Sequence, residues 1–209
     1  LPVTEQTPRK QAESPYGNTK AMCEDIMRDF AKVESGMNLL ALRYFNPIGA
    51  HPSALIGELP NGVPNNLIPF LTQTVAGIRP QLSVFGDDYN TPDGSPIRDY
   101  IDVVDLAKAH VVAIRRLLDG KNKANYEYFN IGTGNGLSVL GLIKAFEKAC
   151  GKKLPYKICP RRPGDIAACY AKVDKAKREL DWVAERGIDE MCASLWKWQT
   201  MNPDGYKSK

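Results

Sequence analysis

The sequence predicts an α/β fold with a mostly parallel sheet, and three observations carry that expectation. Short apolar runs alternate with amphipathic stretches of helical length, the pattern of strand–helix–strand units. The first such run, Asn38–Tyr44, is nearly continuous in apolar side chains, as in a strand covered on both faces. The chain has 209 residues, 43% hydrophobic and 25% charged, which is long enough to bury a core and ordinary for a globular protein.

Taken in order, residues 1–15 are rich in Pro, Thr, Glu and Gln and read as a surface loop. Pro15 disfavours helix for the residue before it, so a helix is expected from Tyr16 to about Lys32, closed by Gly36. The strand Asn38–Tyr44 follows. Its carboxyl end leads into Phe45 and Asn46, and open α/β sheets bind ligands at that end. Pro47–Pro64 reads as loop, Asn66–Val75 as a helix closed by Gly77, Gln81–Phe85 as a strand and Gly86–Gly94 as a turn-rich loop. A strand over Asp99–Val103 leads to a helix over Asp105–Leu118, with Asp105 as its expected cap and Gly120 near its end.

Beyond it come a strand at Tyr126–Ile131, a helix capped by Ser138 and ended by Gly151, and a strand at Pro155–Cys159. Asp165–Ala171 is irregular, and helices over Asp174–Trp182 and Ile188–Trp198 complete the pattern. Gly132-Thr133-Gly134-Asn135-Gly136 looks like a dinucleotide-binding turn, but Leu137 stands where G-x-G-x-x-G requires glycine. It reads as a tight strand-to-helix turn.

Bulk properties narrow the function classes. The net charge is +4, from 28 basic and 24 acidic residues, with no dense Lys/Arg stripe, so a nucleic-acid partner is not expected. No apolar run approaches the roughly 18 residues a membrane helix needs, and Leu1–Glu5 does not begin a signal peptide. The cysteines Cys23, Cys150, Cys159, Cys169 and Cys192 are scattered without a C-x-x-C pair. Free thiols in a reducing cytoplasm, and no metal site, are the expectation.

Tyr16 and Lys20 are four residues apart and share one helix face. A free phenol, with a pKa of about 10, is a poor base at neutral pH, and an ammonium within roughly 4–6 Å favours the phenolate. The pair therefore makes Tyr16 a candidate general base. Alone, that spacing is common on solvated helix faces.

Its company is less common. Together with Arg43-Tyr44-Phe45-Asn46-Pro47, Pro64-Asn65-Asn66-Leu67, the run Val84–Gly94, Arg98-Asp99-Tyr100-Ile101 and Arg161-Arg162-Pro163-Gly164-Asp165, the pair makes the chain resemble the extended short-chain dehydrogenase/reductases. Within them it is most similar to the UDP-galactose 4-epimerase family. The resemblance implies an NAD(P)-binding Rossmann-type parallel sheet, whose C-terminal part would be residues 1–46. It also implies a smaller α/β UDP-sugar-binding domain over 47–209, with 98–118 packing back on the Rossmann sheet.

The resemblance further implies tightly bound NAD and a hydride taken from C4 of the hexose, then returned to the opposite face. Tyr16 would move the O4 proton, Lys20 would hold the nicotinamide ribose, and Tyr44 would join them at the cofactor. Tyr44, Phe45 and Asn46 would meet the hexose. Asn66, flanked by Asn65 and Leu67, would donate to the diphosphate, and Ser83, Val84 and Phe85 would meet the uracil. Arg98 and Arg162 would grip phosphate in the bidentate manner that suits guanidinium, and Asp165 would take the ribose hydroxyls. Cys169 matches the position that limits the hexose pocket, and a small side chain there implies room for UDP-GalNAc and UDP-GlcNAc as well. Members of the family are commonly homodimers through a helical bundle that includes the Tyr16 helix.

Two departures follow from the resemblance. The family's Gly-rich phosphate turn, acidic ribose partner and Ser/Thr hydroxyl precede the tyrosine and are not in this chain. The resemblance therefore implies the C-terminal two-thirds of an epimerase, with little turnover by itself. Asp102 also stands where the family's Arg-Asp-Tyr-Ile-His run has His. The alternatives are another NAD-dependent nucleotide-sugar epimerase, dehydratase or decarboxylase of the superfamily, and a non-catalytic UDP-sugar-binding fragment.

Overall fold

The computed structural model describes residues 1–12, 14–33 and 36–205, so the last four residues of the 47–209 segment lie outside it. Helix α1 (Pro15–Val33) starts one residue before the expected Tyr16. Ser14 Oγ accepts from the Gly17 N–H at 3.1 Å, and proline at the first helical position needs no donor there. Strand β1 (Leu39–Tyr44) pairs in parallel with β5 (Tyr126–Ile131), Leu39 opposite Tyr126 and Tyr44 opposite Ile131.

A second group centres on β4 (Ile97–Asp102), parallel to β2 (Asn46–Ile48) and β8 (Ala168–Cys169) and antiparallel to β6 (Gly136–Ser138). Strand β3 (Leu82–Phe85) pairs in parallel with β7 (Tyr156–Cys159). The helices are α2 (Leu67–Val75), α3 (Val103–Leu118), α4 (Val139–Cys150), α5 (Asp174–Leu180) and α6 (Ile188–Met201). The α/β class with mostly parallel pairing is as the sequence predicts. The short strands β2, β6 and β8 were not legible as strands.

Two cores organise these elements. In one, Ile68 and Leu71 of α2, Val84 of β3, Phe146 of α4 and Leu195 of α6 are buried together. In the other, Leu106 and Ala109 of α3 pack with Phe129 and Ile131 of β5, with Leu40 and Leu42 of β1 against them. Burying each of these large side chains stabilises by about 1.5–3 kcal/mol. The second core places α3 on the β1–β5 pair.

Three local expectations are corrected. Helix α3 is capped by Asp102, not Asp105: the Asp102 carboxylate accepts from the Val104 N–H at 2.8 Å. Strand β4 runs straight into the helix, so its last residue is the cap. Asp105 lies in the first turn, buried, and accepts from the Glu185 and Arg186 N–H groups at 2.8 Å each. Residues 1–15 are not wholly a surface loop, because Val3 bridges Ala171 and buried Glu5 accepts from the Asn130 N–H at 3.0 Å. Helix α5 stops at Leu180, and Asp181 takes a left-handed conformation with φ 52°.

The glycine turn after β5 is held by Asp99. This buried carboxylate accepts from the Thr133 N–H (2.8 Å) and hydroxyl (2.7 Å), the Gly134 N–H (3.0 Å) and the Ala171 N–H (3.1 Å). A Cβ on Gly132 would fall 2.5 Å from Asp99 Oδ2, which is why glycine stands there. With those amides bonded to its own chain, the segment is a tight turn and not a phosphate cradle. Among the described residues, no helix is long and apolar enough to cross a membrane, and no His/Cys/Asp/Glu group is placed to hold a metal ion.

Candidate active site

Two adjoining cavities open where β1 and β3 end. The larger, of about 1130 Å³, is lined by Tyr16, Lys20, Cys23 and Glu24 from α1, by Tyr44 at the end of β1 and Phe45 just after it, and by Glu58. The smaller, of about 420 Å³, is lined by Asn65, Ser83, Val84, Phe85, Arg98, Arg162 and Asp165. Asn46, Asn66, Leu67 and Tyr100 belong to both. Residues far apart in sequence, from Tyr16 to Asp165, are thus brought to two cavities that share a wall.

Helical periodicity builds the first wall. Tyr16, Lys20 and Glu24 follow one another at four-residue steps, so they share a face of α1. Tyr16 is 71% exposed, and the Lys20 ammonium lies 5.1 Å from its ring centroid. One turn on, Glu24 forms a bidentate pair with Arg43 of β1, with N–O distances of 2.7 and 2.6 Å. The Arg43 guanidinium lies 4.2 Å from the Tyr128 ring centroid, and Glu24 holds it still more firmly protonated than a free arginine. A second bidentate pair joins Arg9 to Asp25 at 2.9 Å for each bond. The first clamp ties the helix carrying Tyr16 to the strand carrying Tyr44, and the second ties it to the segment that precedes it.

The smaller cavity is cationic at its mouth. Arg98 donates to the carbonyls of Ile97 (2.8 Å) and Ile166 (2.9 Å) and to Asp165 (3.2 Å). Arg162 donates to the other Asp165 oxygen at 3.1 Å and lies 4.7 Å from the Phe85 ring centroid. One carboxylate therefore spaces two guanidiniums and keeps lone pairs for further donors. On β3, Leu82 and Val84 are buried while Ser83 and Phe85 are partly open. Asn66 caps α2 in an extended conformation without a side-chain cap bond, which places a helix N-terminus, favourable to anions, on the shared wall.

Cys169 lines neither cavity. It sits half-buried on β8 opposite Arg98 in the register, where burial pushes its thiol pKa up. Two wall residues were missed as site residues. Glu58 lines the larger cavity, and burial raises its carboxyl pKa. A single glutamate in a loop carries no spacing signal, so the sequence could not mark it. Tyr100, inside a quoted motif but given no role, has a buried hydroxyl without a hydrogen-bond partner, and burial raises its pKa.

Comparison with known proteins places this geometry. Residues 1–195 match the model of the family described as GDP-mannose 4,6 dehydratase. The UDP-glucose 4-epimerase of Bacillus subtilis is 54% identical over 207 residues, covering 99% of this chain and 60% of that protein. The human UDP-glucose 4-epimerase is 50% identical over 206 residues, covering 99% and 58%. Among solved structures, the UDP-glucose 4-epimerase of Bifidobacterium longum in complex with NAD+ and UDP is 51% identical with a TM-score of 0.92, covering 99% of this chain and 60% of that one. The chain thus spans about 60% of the length of the relatives it matches.

Proposed function

Because the chain belongs to the GDP-mannose 4,6 dehydratase family of the extended short-chain dehydrogenase/reductases, we propose that the protein carrying it is an NAD-dependent UDP-glucose 4-epimerase interconverting UDP-galactose and UDP-glucose. The observation that carries this reading is the pair of cavities meeting at Asn46, Asn66, Leu67 and Tyr100. One side offers a phenol and an ammonium, the other two guanidiniums. A nucleotide-sugar has its sugar hydroxyls at one end and its diphosphate toward the other, and the hollow has that order.

On the anionic part of the ligand, Arg98 and Arg162 grip the diphosphate, and Asn66, with Asn65 and Leu67 beside it, donates to it from the N-terminus of α2. Ser83, Val84 and Phe85 meet the uracil, and Asp165 accepts from the ribose. Tyr44, Phe45 and Asn46 meet the hexose. Anchoring the remote group fixes the ligand without choosing a sugar face, which a reaction that uses both faces requires.

The larger cavity suits the nicotinamide end of NAD in its donors: an exposed phenol hydroxyl, an ammonium and Tyr44 line a space where a hydroxyl-bearing ribose would be held. Tyr16, Lys20 and Tyr44 would hold it there. When bound, NAD accepts and returns a hydride. Tyr16 takes the proton of the sugar O4 hydroxyl and gives it back, with the Lys20 ammonium beside its ring. Cys169, although it lines neither cavity, carries the small side chain on which an extension of the substrate range to UDP-GalNAc and UDP-GlcNAc would rest. Residues 1–46 belong with the cofactor-binding domain and 47–209 mainly with the sugar nucleotide, with 98–118 packed back on β1.

Met22, Ile26 and Phe30 on α1, and Val111, Ile114 and Leu118 on α3, form exposed apolar stripes that support a homodimer. Free cysteines fit the cytoplasm. Calorimetric titration of UDP into the chain tests the nucleotide side. One-to-one binding is expected, weakened about tenfold or more in Arg98→Ala, since a charge-assisted bond is worth about 1.5–3 kcal/mol. No heat of binding with UDP would sink the proposal.

A further inference from the structure

We propose that Arg161 is the positioning residue for Arg162: by clasping the loop that follows β3, it holds residues 161–165 where Arg162 reaches the ligand diphosphate. The inference rests on the function proposed above, and it concerns a side chain that lines neither cavity.

The two adjacent arginines are set to different tasks. Arg162 lines the smaller cavity and donates to Asp165, a bond that spans three residues and so fixes Arg162 only within its own segment. The far end of that segment is tied to β4, because Arg98 donates to Asp165 and to the Ile166 carbonyl. The near end is tied by Arg161. Its Nε donates to the Asp88 carboxylate at 2.7 Å and a terminal nitrogen donates to the Asp88 carbonyl at 2.6 Å. The same guanidinium lies 4.0 Å from the ring centroid of Tyr89.

The sheet delivers both halves of this clasp. Phe85 and Cys159 are opposite each other at the ends of β3 and β7, and the Gly86 N–H donates to the Cys159 carbonyl at 2.8 Å. From that point one strand leads to Asp88 and Tyr89, and the other leads through Pro160 to Arg161. Tyr89 is buried, and its N–H donates to the Gly94 carbonyl at 3.0 Å, so its ring is a fixed platform. A Cβ on Gly86 would fall 2.5 Å from a Tyr89 ring carbon and 2.9 Å from Arg161 Cγ. Glycine there leaves the room in which guanidinium and ring meet.

The Arg161 and Asp88 side chains are 46% and 69% exposed, and an ion pair so open to water adds little to overall stability. Its geometry suits ordering instead. A cation already in place loses less freedom when its ligand arrives, and a binding side chain is only as precise as the segment that carries it.

The test is UDP calorimetry on the chain, with melting temperatures as the check on folding. Arg161→Ala is expected to weaken UDP binding about two- to fivefold, the range for an exposed ion pair, with the melting temperature within about 2 °C of the parent's. Loss of a nearby positive charge would by itself act in the same direction, and Asp88→Ala separates the two causes. Removing an anion strengthens UDP binding if only charge matters, whereas losing the clasp weakens it. Weakening is expected. In an Arg162→Ala background neither substitution is expected to change UDP affinity further, because the clasp acts through Arg162.

Unchanged or tighter binding in Asp88→Ala, or losses that add to that of Arg162→Ala, overturns the assignment while leaving the UDP site standing. Absence of UDP binding by the parent chain overturns both.

Discussion

The two helices that flank the hollow are held in opposite ways. Helix α2, on the side proposed for the nucleotide, buries seven of its nine residues. Helix α1, which carries Tyr16 and Lys20, buries only Ala31 among its 19. The first is fixed by the core and the second by bidentate ion pairs, Arg43–Glu24 and Arg9–Asp25, to its neighbours. The contrast suits the chemistry proposed: the nucleotide handle needs a rigid seat, whereas the proton-transferring phenol needs access to whatever enters the larger cavity.

The sharpest way to separate the two sides is Tyr16→Phe in the protein carrying this chain. Turnover of UDP-galactose, followed by UDP-glucose production, is expected to fall about 10²- to 10⁴-fold, the range for removing a general acid–base group, with UDP affinity unchanged. Equal turnover in the variant would break the assignment of roles to the two sides.

Glu24→Ala attacks the clamp instead of the chemistry. The pair is only about one-quarter to one-third exposed, with side-chain values of 32% and 24%. Removing the acceptor leaves Arg43 half-buried without it, so a loss of about 1–3 kcal/mol and a melting temperature lower by roughly 2–10 °C are expected. UDP affinity should stay within twofold of the parent, because nothing on the α2 side depends on the pair. A matching loss of UDP affinity would show that the two sides are not separable.

The smallest effect is expected at Asp102, the buried cap of α3, which lines neither cavity. Asp102→Ala loses the bond to Val104 and should cost about 1 kcal/mol. Burial holds the Asp102 carboxyl above the ordinary carboxylate range, although Arg186, 3.7 Å away, opposes this. For an acid raised on folding, the charged form costs stability above the unfolded pKa, and that cost is relieved as pH falls through the folded value. Asp102→Asn keeps an acceptor for Val104 without the charge. Its denaturant midpoint at pH 7 should equal or exceed the parent's, and the gap should narrow as the solution is acidified toward the carboxylate range.

Legibility in the sequence followed the range of the interaction responsible. Ser138 and Gly151 marked both ends of α4, because capping geometry and the left-handed C-terminal residue, with φ 68°, are local properties. The four-residue step from Tyr16 to Lys20 put both on one wall for the same reason. The α3 cap was misplaced by three residues because two aspartates qualify locally. Only the β4 ladder, which carries the chain to Asp102 without a linker, and the amides of Glu185 and Arg186 decide between them. Strands β2 and β8, three and two residues long, exist only by pairing with β4, so no periodicity could announce them. Glu58 was invisible on the same grounds, its place on the cavity wall resting on the bond its carbonyl accepts from Trp198.

Asp99 stands next to Arg98 on β4, and alternation along a strand turns neighbours to opposite faces. Arg98 lines the smaller cavity, while Asp99 gathers four donors from two loops separated by more than thirty residues of chain. Damage to it would be mistaken for a dead enzyme in any screen that counts product alone. Under limited proteolysis the same variant would reveal its true fault, as cuts opening at the glycine turn while the chemical groups remained intact.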